Sequence, residues 1–117
     1  MSANEVSGVD IGPDIDRSQP RPLIAVLEAN PGHADELRGM IVSLTRENRR
    51  EPGCVAFIPY EVDRLPGKFF LYEIFADAAA FEVHLEMDHV KQFRAALPSV
   101  SDSGPTDLAQ LVEIAVP

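Results

Sequence analysis

Residues 68–93 read KFFLYEIFADAAAFEVHLEMDHVKQF, and the division of this stretch decides the fold. Its first part, 68–75, alternates at period two. Phe69, Leu71, Glu73 and Phe75 fall on one side, and Phe70, Tyr72 and Ile74 on the other. Aromatic and β-branched residues at that period predict a strand. Asp77 then stands where a helix N-cap belongs, ahead of AAAFEVHL. Asp88 is the expected cap of a second short helix, HVKQFRAAL, which gathers Val90, Phe93 and Leu97 on one side before Pro98 ends it.

Upstream, CVAFIPYEV (54–62) is a second strand, joined to the first by the hairpin-type DRLPG. Pro59 cannot donate a ladder hydrogen bond, so this strand is expected at a sheet edge or bulged at the proline. Before it, HADELRGMIVSLTRENRR places Leu37, Met40, Ile41, Leu44 and Asn48 on one helical face. Acidic residues open that helix, arginines close it, and EPG stops it, in keeping with the helix dipole. LIAVLEA (23–29) and DLAQLVEIAV (107–116) are the outer strands by order. Residues 1–22 show no periodic apolar face and are expected to form a flexible arm, leaving one domain over 23–117. The order β-α-β-β-α-β, with its second helical unit in two pieces, predicts an α+β, ferredoxin-like split arrangement. Its four-stranded antiparallel sheet carries helices on one face.

Both faces of the predicted strands are mostly apolar, whereas a solvated face would alternate with polar residues. Helices cover one face only. The other is expected to meet the same face of a second copy, since monomers seldom expose several hundred Å² of apolar surface. The net charge of −9, from 19 acidic and 10 basic residues, disfavours nucleic acid. No stretch approaches the roughly 20 apolar residues of a membrane span, and no secretory pattern opens the chain, so a cytoplasmic location is expected. Cys54 is the only cysteine and reads as a small buried side chain, without a nearby cation to activate it.

The motifs together resemble the antibiotic biosynthesis monooxygenase family. The matching residues are Glu51-Pro52-Gly53-Cys54, Tyr72-Glu73-Ile74-Phe75, Asp77 with Ala80, and His84-Leu85 with His89 and Phe93. The resemblance spans about residues 23–116 and implies a dimeric α/β barrel with a pocket between sheet and helices. Members include monooxygenases that oxidise phenols or quinols with O₂ and neither metal nor flavin. Others degrade haem or isomerise a phosphorylated sugar. Phe75 stands where many relatives carry tryptophan, and the first strand lacks the asparagine of haem-degrading members. Both departures point away from haem degradation. Relatives that oxidise quinols often carry a polar residue at the position of Leu71.

The expected reaction is therefore cofactor-independent oxidation of an electron-rich aromatic, with O₂ as co-substrate. The alternatives are a non-catalytic ligand-binding or regulatory dimer, and an isomerase-type member. His84 is the expected base near neutrality, with Glu73 to orient it. Leu27, Met40, Leu44, Leu71, Phe75, Phe81 and Phe93 are the expected slot, and His89 its frame. A structural reading stands beside this one: Glu73 hydrogen-bonded to a helix end, or paired with His84 or an arginine. Burial would raise its pKa unless a cation answers it. His84 and His89 lie five residues apart, off the i,i+4 spacing of a helical metal site. The break near Met87-Asp88 could realign them into a Glu73-His84-His89 triad, but no metal is expected. Tyr72 belongs to the opposite sheet face, and Tyr60 is open to either.

Overall fold

The computed structural model describes residues 18–102 and 107–117. Most of the expected N-terminal arm lies outside them. The element order is β1 (Arg21–Glu28), α1 (Ala34–Asn48), β2 (Cys54–Glu61), β3 (Lys68–Phe75), α2 (Ala78–Leu85), α3 (Asp88–Ala96) and β4 (Asp107–Gln110), with a 3₁₀ turn at Leu97–Ser99 after α3. The sheet runs β2-β3-β1-β4 with every pair antiparallel, which is the α+β ferredoxin-like fold.

Register fixes what faces the helices. Leu23 pairs with Glu73, Ala25 with Leu71 and Leu27 with Phe69, and all six are buried. Leu37, Ile41 and Leu44 of α1 and Val90 of α3 close over them, and Phe57 of β2, paired with Glu73, extends the sheet layer. A fully buried Leu or Phe contributes about 1.5–3 kcal/mol, so this layer holds helices to sheet. On the opposite face Ile24 pairs with Tyr72 and Val26 with Phe70, while Ile58, Tyr60 and Phe70 are exposed. Tyr60 thus lies outside the helix-covered side.

One local expectation holds in its first alternative, since β2 lies at the sheet edge, and two others are corrected. The ladder irregularity in β2 falls between Cys54 and Ala56, and Pro59 pairs regularly with Leu71. Since β2 is an edge strand, the missing N–H costs no ladder bond there. Met87, in extended conformation, is the N-cap of α3, and Asp88 is already in its first turn. There it meets the helix dipole without a side-chain cap bond. β4 ends at Gln110, and Val112, Ile114 and Val116 are exposed beyond it. An apolar run signals a strand only where a neighbour supplies hydrogen bonds, and β1 pairs with β4 only from Leu23 to Val26.

Candidate active site

The site is assembled where α1 ends. EPG does three separate jobs. Pro52 follows the helix end. Gly53 lies so close to α2 that an added Cβ would sit 2.5 Å from the Ala80 Cβ, and its carbonyl accepts the Ala76 N–H at 2.8 Å. Glu51, buried, turns its carboxylate toward the two histidines.

Asp77 accepts the Ala80 N–H at 2.7 Å and starts α2, whose last turn carries His84. His84 Nδ1 lies 2.9 Å and His89 Nε2 lies 2.8 Å from the same atom, Glu51 Oε2. An ionised carboxylate oxygen only accepts, so each ring turns an N–H toward it, leaving His84 Nε2 as that ring's remaining nitrogen. The helix break at Met87 brings the histidines together, but around Glu51 rather than Glu73. Glu51 was legible only as part of a motif. Its partners lie 33 and 38 residues away, beyond any helical or strand period.

Glu51, His84 and His89 present donor atoms within 4.8 Å of one another, a carboxylate and imidazole set of the kind zinc takes. Both ring contacts run through one carboxylate oxygen at hydrogen-bond length.

Behind this cluster is a cavity of about 90 Å³ between sheet and helices. Leu27, Leu44, Leu71, Phe81 and Phe93 line it, as do Glu73, His84, Asn48 and Arg94. Phe75 is fully buried behind His84, with ring centroids 4.5 Å apart, and does not line the cavity. Met40 and His89 line a separate outer groove of about 450 Å³ between α1 and α3. Leu44 and Phe93 border both spaces.

Burial, with the negative Glu51 nearby, pushes the Glu73 carboxyl up to about 8, and no cation offsets it. At neutral pH Glu73 is therefore a neutral donor in an apolar wall. Burial also lowers the pKa of His84, against the pull of Glu51 upward, so the ring is neutral there. Burial raises the Cys54 thiol, with Glu51 and Glu73 adding to it. That environment is the reverse of one that activates a nucleophile. Asn48 completes the site and was anticipated only as part of a helix face. Its amide is fully buried, and neither Oδ1 nor Nδ2 has a hydrogen-bond partner among the described residues. An unmet buried polar group costs about 1–3 kcal/mol.

The sequence profile of the antibiotic biosynthesis monooxygenase family matches residues 22–96, and the chain belongs to that family. This membership defines a general monooxygenase-like class. Among solved structures, PA3566 of Pseudomonas aeruginosa is 28% identical with a TM-score of 0.78, over 86% of this chain and 100% of that one. Rv0793 of Mycobacterium tuberculosis is 22% identical with a TM-score of 0.75, over 84% and 98%. An antibiotic biosynthesis monooxygenase is 24% identical with a TM-score of 0.69, over 83% and 99%. No curated protein sequence matches the chain.

Proposed function

We propose that the protein is a cofactor-independent monooxygenase that uses O₂ to oxidise a phenol or quinol. The observation that carries this reading is a neutral histidine, held through Nδ1 by a buried carboxylate, whose ring walls an apolar cavity. His84 Nε2 takes the phenolic proton. The phenolate gives one electron to O₂, and the radical pair joins at a ring carbon bearing hydrogen. Loss of that hydrogen as a proton, with O–O cleavage, expels water and leaves a carbonyl. One oxygen atom enters the product and the other leaves in water, all electrons coming from the substrate. The apolar walls shelter the peroxide, and Glu73, carrying its proton, can donate to a developing oxyanion. Glu51 acts through His84 as a positioning residue.

The phosphosugar isomerase reading finds one cation, Arg94, on the cavity wall among the described residues, short of the cluster a phosphate needs. Arg49 binds the Phe57 carbonyl, Arg50 pairs with Glu47 and Lys91 pairs with Glu86. A second copy against the outer sheet face, with its exposed Ile58, Tyr60 and Phe70, belongs to this proposal as the working assembly.

The test is oxygen uptake by chelator-treated protein with 1,4-naphthohydroquinone. Product should form in air and not under argon. Equal conversion in both would end the reading. His84→Ala should lower the rate by about a hundredfold or more, and retention of full activity would remove His84 as the base.

A further inference from the structure

The cavity and the groove differ in chemistry as well as size. The groove opens between the helices, with Ser43, Glu47, His89 and Gln92 beside Met40, Leu44 and Phe93, whereas the cavity wall is mostly apolar. The cavity holds the one fully buried side chain, among the described residues, whose polar atoms both lack partners. Asn48 lines that cavity from the last turn of α1. One turn earlier, the Thr45 hydroxyl donates to the Ile41 carbonyl at 2.7 Å and so is already engaged. The Arg49 guanidinium is likewise committed to the Phe57 carbonyl, at 2.8 Å from Nη2. The Asn48 amide is therefore a donor and an acceptor, side by side, with no group among the described residues to meet either.

We infer that Asn48 recognises an aromatic ring bearing two adjacent oxygens, at least one of them a hydroxyl. Nδ2 donates to one oxygen while Oδ1 accepts from the other. The argument is one of complementarity. An amide presents its donor and acceptor in one plane, so it matches a neighbouring pair of groups better than a single one. A catechol edge or an adjacent hydroxyl and carbonyl supplies that pair; an isolated phenol satisfies half of it. Size supports the same division. A dry cavity of about 150 Å³ takes one benzene ring, and this cavity is about 90 Å³. One ring enters only with displacement of Leu44 or Phe93, which border both spaces, and any fused ring stays in the outer groove.

This inference rests on the proposed aromatic substrate, but its test needs no turnover. Binding is measured anaerobically by calorimetry with 2,3-dihydroxynaphthalene and 2-naphthol. The wild type should bind the dihydroxy compound at least about tenfold more tightly, because a site built for hydrogen bonds discriminates against a ligand that leaves them unmet. Asn48→Leu should erase that preference by weakening the dihydroxy compound more than 2-naphthol. Asn48→Ala serves the same purpose should the leucine not fold. A preference that survives either substitution, equal affinities in the wild type, or no binding of either compound would overturn the inference. Persistence of the preference in variants that still consume oxygen would reject the role of Asn48 alone. Binding as expected without any oxygen uptake would leave the recognition standing and remove the monooxygenase.

Discussion

Glu73 and Glu51 are both buried carboxylates, yet their surroundings set them opposite tasks. Two imidazole N–H groups answer Glu51, while nothing cationic answers Glu73. Glu73→Gln copies the protonated carboxyl and should fold. Loss of the Glu73 proton should give the wild type an alkaline fall in kcat/KM near pH 8, and the glutamine variant should keep the donor role and lack that fall. Glu51→Gln should behave differently. Glu51 raises the His84 pKa against burial, so its neutralisation should move the acidic limb of the same profile to still lower pH and reduce kcat. An unmoved acidic limb would contradict the positioning role. Periodicity announced Glu73 because a strand face is readable at spacing two. It could not announce the Glu51 contacts, which depend on a helix end and two other segments meeting in space.

The helices and strands were largely legible, because each carries its own pattern of apolar residues and its own stop signal. The glycine of EPG shows what such patterns omit. Its φ is not in the left-handed region, so no turn demands a glycine there; the demand comes from Ala80 on α2. Gly53→Ala should therefore push α2 away and carry His84 with it. Thermal unfolding should show a loss of about 1–3 kcal/mol, and activity should fall further than stability accounts for. An unchanged melting temperature and rate would mean that α2 yields freely. At the other end, β4 is shorter than its apolar sequence implies. Leu111 still donates its N–H to the Pro22 carbonyl at 2.8 Å, but the residues beyond are exposed.

For the molecule as a whole, two buried groups make stability depend on pH. The native Glu73 value of about 8 exceeds its unfolded 4.5, so the native state keeps a proton the unfolded chain releases, and stability falls as pH rises through that window. His84 is shifted below 6.5, so its contribution is lost as pH drops below 6.5 and opposes the Glu73 slope there. The net decline should be steepest between 6.5 and 8, roughly 2 kcal/mol at about 1.4 kcal/mol per pH unit. Denaturant titrations across that range should show it, and Glu73→Gln should flatten it. The exposed outer sheet face leads to a second expectation. Sedimentation should find a two-fold dimer at micromolar concentration, and a charge placed at Phe70 should dissociate it. A monomeric wild type would remove the assembly from the proposed function.

The order of elements, the two-faced apolar sheet and the acidic surface follow from local chemistry: side-chain period, turn residues and charge are properties of neighbouring positions. The partnership of Glu51 with His84 and His89, the unmet amide of Asn48 and the division between cavity and groove came only with the folded chain. These are facts about distances between segments far apart in sequence. Whether a buried polar group finds a partner is decided by packing, which no single stretch of residues encodes.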